Sequence, residues 1–275
     1  MAKLFKDISK SISDYGTAIN FIFKNKLAWF FLFPLALNII LFFAGMAAVD
    51  SLLKDLQENV LAIEFLKNAD FLGASLIRWL VNGFLWIVIK ILFFFVFSYF
   101  GGYITLAIIS PVLAFLSEKT EKILLGNTYE FNIQQLMRDV VRAVLIVIRN
   151  SFFGILIIIL VFILSFIPVI GWIVALLSPF ILLVSNAYFY GFSFVDYVIE
   201  RQRVDFKTSI SFMKNHKGTL IGNGSIFALI LLLPLGNFLA GFIAIVSTVA
   251  AVISVQDFIN EPLNKKEASK NAIEE

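Results

Sequence analysis

The chain has 275 residues, of which 60% are hydrophobic and 15% charged, with 32 Phe, a formal net charge of +3 and no Cys. A soluble domain carries roughly a quarter of its residues charged, so this composition excludes an ordinary soluble globular protein and points to an integral membrane protein. The missing Cys exclude disulfides, thiolate metal sites and cysteine nucleophiles.

Residues 1–26 carry Lys3, Lys6, Lys10, Lys24 and Lys26 against Asp7 and Asp14. Leu4, Phe5, Ile8, Ile12, Tyr15, Ile19 and Ile22 recur at three- and four-residue spacing, which predicts a basic amphipathic helix. Such a helix suits either an anionic leaflet or packing against the cytoplasmic side of the same protein. Residues 27–49 form a first apolar run of 23 residues, a spanning helix about 34 Å long. A cleaved signal peptide with Ala44-Gly45-Met46-Ala47 as its cleavage site fits less well, because the run is too long and 26 residues precede it. The segment 50–75 sets Asp50, Asp55, Glu58, Glu64 and Asp70 against Lys54 and Lys67, a net of −3, and reads as an amphipathic extracytoplasmic segment.

From 76 to 109 the chain is apolar but for Arg78, Asn82 and Lys90. Wholly helical, this run would measure about 50 Å against a hydrocarbon core near 30 Å, so it must tilt or project. Ser110-Pro111 is expected to break it. Glu118-Lys119-Thr120-Glu121-Lys122 follows and reads as a solvated charged face. Two apolar hairpins come next, at 151–193 and 220–256, with a basic segment at 200–217 between them and a polar tail from 257. Their tips are Ser165-Phe166-Ile167-Pro168-Val169-Ile170-Gly171-Trp172 and Leu232-Leu233-Pro234-Leu235-Gly236-Asn237. In each, proline ends a helix and glycine supports a reversal.

Residues 1–26, 117–150 and 200–217 hold five Lys or Arg each, whereas 50–75 holds two. The positive-inside rule places the basic regions, and with them both termini, in the cytoplasm. Both hairpins then enter and leave on one face. Their arms of 16–20 apolar residues are borderline for spanning, and their uncharged tips favour partial penetration. The expected fold is an all-α integral membrane protein forming a single membrane domain. It comprises an N-terminal amphipathic helix, two long transmembrane helices within 27–110, and two half-penetrating (re-entrant) helical hairpins.

Several motifs resemble the CysZ-type sulfate permease and etoposide-induced membrane protein family over residues 20–256. They are Phe33-Pro34-Leu35-Ala36-Leu37-Asn38-Ile39, Ser110-Pro111-Val112-Leu113-Ala114-Phe115-Leu116-Ser117-Glu118-Lys119 and Ile167-Pro168-Val169-Ile170-Gly171. Asp196-Tyr197-Val198-Ile199-Glu200-Arg201, Asn215-His216-Lys217-Gly218 and Leu233-Pro234-Leu235-Gly236-Asn237 continue the series. The resemblance implies two long transmembrane helices with two pairs of half-penetrating helices, homo-oligomeric assembly, and uptake of sulfate or a related anion across a bacterial inner membrane. It also implies an anion site at a Gly-Leu-Arg-type turn opening the first membrane helix. The corresponding residues here are Lys26-Leu27-Ala28-Trp29, without the glycine or the arginine. After Asn237 the family's Pro and Gly-Ala-Thr pattern is replaced by Phe238-Leu239-Ala240-Gly241.

The candidate anion path consists of Lys24 and Lys26 at the start of the first membrane helix, Arg78, Asn82 and Lys90 on the long helix, and Asn237 at the second tip. The first turn of a helix presents free N–H groups that favour an anion. Arg78, Asn82 and Lys90 fall within a 120° sector, and ionisable groups at membrane depth mark pathways. Arg78 near the outer end reads more readily as a snorkelling residue, and Lys90 could equally snorkel or pair with a neighbouring subunit. Ser110, Pro111, Pro168, Gly171, Pro234 and Gly236 are the expected breaks and tips. Ser178-Pro179, Ser185, Asn186, Asn223 and Ser225 read as packing contacts between helices rather than a pore lining.

The only histidine, His216, lies among lysines without a His or Cys partner. The sequence contains no His-Glu-x-x-His, Gly-x-Ser-x-Gly or phosphate-binding Gly-rich motif. The chain therefore reads as no enzyme, with no catalytic residues, metal or cofactor. The basic regions carry no nucleic-acid motif, and the lipid bilayer is their expected partner. An anion transporter or channel is the leading function; a non-transporting scaffold that shapes one leaflet is the alternative.

Overall fold

The computed structural model describes residues 2–61, 74–126, 133–202, 206–233 and 235–259. Pro234, residues 62–73 of the acidic segment with Glu64, Lys67 and Asp70, residues 127–132 and 203–205 of the basic regions and the tail from 260 lie outside them. All described elements are helical: α1 (Ala2–Lys24), α2 (Leu32–Leu61), α3 (Ala74–Leu125), α4 (Ile133–Ser165), α5 (Ile170–Ile199), α6 (Phe206–Asn215), α7 (Lys217–Leu231) and α8 (Gly236–Ile259). Short 3-10 turns occupy Ala28–Phe31 and Glu200–Gln202. Among the described residues, five stretches are long and apolar enough to cross a membrane, Ala28–Leu56, Ser75–Phe95, Ile148–Ser165, Ile170–Gln202 and Gly236–Gln256, making this a multi-pass membrane protein.

Helix α8 forms the centre of the packed region. Ala240, Ala244, Ile245, Val249 and Ala250 are fully buried there, and α1, α3, α5 and α7 surround it. The small side chains of α7 permit close crossings. A Cβ at Gly224 would overlap the Ala187 carbonyl of α5, and one at Gly191 would overlap the Leu220 carbonyl of α7. On the other side of α7, Gly218 and Gly222 lie against Leu4 and Ile8 of α1. Helix α1 buries Ser11, Asp14, Tyr15, Ala18 and Ile22 on this surface. It is therefore a packing helix. It also carries a second apolar row, Phe5, Ile12, Ile19 and Phe23, which stays exposed.

Two arms leave this region. One pairs α2 with the first half of α3; the other is the α4–α5 hairpin, whose outer surface from Phe152 to Val184 is exposed and almost wholly apolar. Helix α3 is continuous through Pro111, contrary to the break expected at Ser110-Pro111. Proline lacks the N–H that would meet the Ala107 carbonyl, and Ser110 Oγ donates to that oxygen instead at 2.9 Å. The same substitution recurs in α5, where Ser178 Oγ donates to Ala175 O at 2.8 Å beside Pro179.

Both hairpin tips turn through a non-glycine residue in the left-handed region, Val169 at φ 69° and Leu235 at φ 66°. Glycine follows closely in each. A Cβ at Gly171 would overlap the Ser165 carbonyl and one at Gly236 the Ile230 carbonyl, each six residues back. The backbone bonds of the two tips differ, with Ile170 N–H on Pro168 O and Gly171 N–H on Ile167 O in the first and Gly236 N–H on Leu233 O in the second. Their surroundings differ, because Gly236 begins the central helix whereas Val169 and Trp172 are 75% and 84% exposed at the end of an arm.

Candidate functional site

Helix α1 must stop before the chain turns into the first apolar helix. Leu27 N–H donates to Ile22 O at 2.8 Å and Lys26 N–H to Phe23 O at 3.3 Å, the paired bonds of a Schellman cap. Lys26 occupies its left-handed position at φ 58°. Ile22 and Leu27, both fully buried, supply the apolar contact across it, and Asn25 Nδ2 donates to Phe21 O at 2.9 Å. A lysine in place of glycine costs on the order of 1 kcal/mol in this conformation. The 3-10 turn follows at once, and the first N–H groups of such a turn, here Ala28 and Trp29, have no acceptor within it. Lys24 and Lys26 are exposed at this point, and Lys119 from α3 places Nζ 5.6 Å from the Trp29 ring centroid. Lys119 was not among the sequence candidates, since only the chain reversal after α2 brings it here.

The polar stripe of α3 is arranged differently. Helix α2 runs on to Leu61, so Asp50 sits on a helix and not in a loop. Lys90 Nζ forms an ion pair with Asp50 and approaches Met46 Sδ at 3.2 Å and the Trp86 ring at 5.9 Å. Its charge is compensated within the chain. Arg78 is half-buried near the start of α3, and Asn82 Oδ1 is buried without a partner among the described residues. Lys90 and Lys119 lie 29 residues apart on one continuous helix, about 44 Å by helical rise. The stripe and the lysines before α2 are thus at opposite ends and do not form one site.

Asn237 is half-buried in the first turn of α8. The contact beside it is made by Asn38, whose Nδ2 donates to Phe238 O at 3.2 Å while its Oδ1 accepts from Thr105 Oγ1 at 2.9 Å. This knot joins α2, α3 and the second tip. Ser185 and Ser225 donate to carbonyls of their own helices, at Ile181 and Gly222. Asn223 is fully buried, with Nδ2 on Ser247 O at 3.3 Å and Oδ1 without a partner among the described residues. The Tyr15 hydroxyl bonds both Ser247 Oγ, at 2.7 Å, and the Asn223 carbonyl, and its burial pushes the phenol pKa up. Asp14 Oδ2 accepts from Ser254 Oγ at 2.6 Å.

Two charged clusters were not legible locally. Glu121, expected on a solvated face, is fully buried. Arg201 reaches its Oε2 through Nε at 2.9 Å and Nη2 at 2.7 Å, and also donates to Ser117 Oγ and Tyr197 O. Arg142 donates to Asp196 at 2.9 Å and Ser209 at 2.8 Å. Among the described residues, no three His, Cys, Asp or Glu converge on a metal-sized site.

A family model described as sulfate transporter CysZ/etoposide-induced protein 2.4 matches residues 15–241. That span takes in the Schellman turn, both charged clusters and both hairpin tips. No curated protein matches the chain.

Proposed function

The chain belongs to the sulfate transporter CysZ/etoposide-induced protein 2.4 family, and we propose on that basis that it passes sulfate or a related anion across the membrane. One observation carries the assignment of a site. Lys26 stands where the family's turn has glycine, and it holds the left-handed conformation that glycine would take. The turn's geometry is kept while an exposed ammonium is added to it. With Lys24, Lys119 and the N–H groups of Ala28 and Trp29, the turn offers an anion point charges and backbone donors together. The family's arginine position is Ala28 here, and lysine lacks the bidentate fork of an arginine, so capture here rests on charge rather than geometry. Lys90, neutralised by Asp50, has no part in this capture step.

Partial penetration of the second hairpin is supported by the length of α7. Its 15 residues measure about 22 Å, short of a hydrocarbon core near 30 Å. Homo-oligomeric assembly through the exposed α4–α5 arm, and a bacterial inner membrane with cytoplasmic termini, complete this reading.

Uptake of radiolabelled sulfate into proteoliposomes tests it. Lys26→Gly suits the turn and removes only the charge. A hydrogen bond to a charged group is worth about 1.5 kcal/mol, so uptake should fall roughly tenfold at subsaturating sulfate. Uptake unchanged in Lys26→Gly and Lys24→Gln would refute the site; no uptake of any anion by the parent chain would refute transport. The exposed row Phe5, Ile12, Ile19 and Phe23 beside the α1 lysines favours the second reading, a leaflet-binding scaffold. That reading predicts vesicle deformation by a chain that conducts nothing.

A further inference from the structure

Arg142 and Arg149 lie seven residues apart on α4, two helical turns, and both face α5. Arg142 meets Asp196 there. Seven residues back from Asp196 along the antiparallel α5 comes Phe189, so the position across from Arg149 carries a ring and no carboxylate. The Arg149 guanidinium is held between two aromatic faces instead, 5.3 Å from the Phe153 centroid and 5.1 Å from that of Phe192. Its Nη1 donates to Asn150 Oδ1 at 3.1 Å. Asn150 is itself 6% exposed and is oriented by the Phe189 carbonyl and Ser193 Oγ, at 3.4 and 3.5 Å. The Tyr188 side chain lies within electrostatic reach of the same guanidinium.

Among the described residues, one of the five N–H donors of the guanidinium is used and no carboxylate compensates the charge. The group is half-buried at the first residues of an apolar span, Ile148–Ser165. An ionised group there without a counter-charge is costly, whereas a tetrahedral oxyanion would take up two parallel N–H bonds and supply that charge. The two rings hold the guanidinium, and four of its five N–H donors have no acceptor among the described residues.

We propose that Arg149, seated on Phe153 and Phe192 and oriented by Asn150, is a second oxyanion site, taking a sulfate- or phosphate-type group at the base of the first hairpin. The ligand is either the free inorganic anion or the phosphodiester of an anionic lipid headgroup. The two share their chemistry and differ in source. The site is separate from the Lys26 turn and does not rest on the transport reading.

The full-length protein in phosphatidylcholine nanodiscs provides the test. One arm measures binding of radiolabelled sulfate and inorganic phosphate; the other measures retention of added phosphatidylglycerol by native mass spectrometry. Arg149→Gln should weaken binding about tenfold or more in at least one arm, and Arg149→Lys, without the fork, should be intermediate. Asn150→Asp places a carboxylate on the guanidinium with almost no change of shape, so it should abolish binding while the melting temperature holds or rises. That variant answers the question even if Arg149→Gln fails to fold. Parent-like binding of both the inorganic anions and phosphatidylglycerol by Asn150→Asp overturns the proposal, as does absence of binding by the parent in both arms. Lys26→Gly separates the two sites. Loss of uptake there, with the Arg149 and Asn150 variants binding like the parent, leaves transport standing and removes this site. A parent chain that conducts no anion yet retains lipid through Arg149 does the reverse.

Discussion

Removing Arg201 should be among the most destabilising single changes available in this chain, and the reason is Glu121. The carboxylate has no exposed surface, and Arg201, 12% exposed, gives it two short hydrogen bonds. Gln202 adds a longer one at 3.4 Å. Arg201→Met keeps the aliphatic stem and strips the charge, leaving a buried carboxylate without its guanidinium. Breaking a buried pair from one side costs about 3–5 kcal/mol, because the remaining ion stays desolvated. Glu121→Gln is milder. Arg201 keeps Ser117 and the Tyr197 carbonyl and has some access to water, so about 1–3 kcal/mol is expected. The double variant Arg201→Met with Glu121→Gln removes both charges and should recover most of the loss, a coupling on the order of 1–3 kcal/mol. Equilibrium unfolding in a mild detergent, followed by circular dichroism, would supply the three values. A cost under about 1 kcal/mol for Arg201→Met, or a double variant no more stable than the single one, would refute the claim that this pair joins α3 to the end of α5.

Val169→Gly should stabilise the first hairpin. The residue is 75% exposed, so little packing within the chain is lost, while relief of the left-handed backbone is worth about 1 kcal/mol, partly offset by the entropy of glycine; a fall in melting temperature would count against the strain argument. Gly224→Ala should do the opposite, since its methyl group would meet the Ala187 carbonyl and the Gly191 amide, both backbone. A cost above about 3 kcal/mol is expected, and a tolerated alanine would show that α5 and α7 can separate. Asp50→Asn removes the counter-charge of Lys90 and leaves it an amide oxygen in place of the carboxylate. It should loosen the α2–α3 arm, seen as faster amide exchange around 46–50, while sulfate uptake at the far end stays unchanged.

The helical class and the positions of the apolar runs were legible because they depend on near neighbours. The helical form of α1 follows from its three- and four-residue spacing, but its buried face does not, since Ser11, Asp14 and Ala18 are buried while Leu4, Phe5, Ile12 and Ile19 of the spaced row are exposed. The tip residues Val169 and Leu235 sit beside Pro and Gly signals. What escaped is set by partners distant along the chain. Glu118-Lys119-Thr120-Glu121-Lys122 looks solvated because Arg201, 80 residues on, is invisible from it. Lys90 looks like a bare intramembrane cation because Asp50 reads as part of an extracytoplasmic segment, whereas α2 continues through it. Pro111 looked like a break because proline removes one backbone bond; a neighbouring hydroxyl that replaces the donor lets the helix run on. The aromatic seat of Arg149 had a weaker signal, Phe153 four residues after it on the same helix, but Phe192 across the hairpin could only be found in three dimensions.

The two hairpin tips both combine a positive-φ residue with a close glycine but sit in different surroundings. Backbone that is not helical survives at membrane depth only where its polar groups are covered. At the second tip the cover is internal. Gly236 and Ala240 are buried, and Asn38, itself bonded to Thr105, donates to the Phe238 carbonyl from α2. At the first tip the turn largely covers itself, with Ile170 N–H on Pro168 O at 2.8 Å, Gly171 N–H on Ile167 O at 2.6 Å and Ser165 Oγ on Val161 O at 2.7 Å. A tip satisfied from within can sit against lipid or against another copy of the chain. The second tip has turn bonds of its own, Gly236 N–H on Leu233 O at 2.8 Å and Phe238 N–H on Leu235 O at 2.9 Å, and Asn38 ties it to α2 in addition. If either hairpin shifts during passage of an anion, it is therefore the α4–α5 arm, and the α8 tip is the fixed point against which it moves.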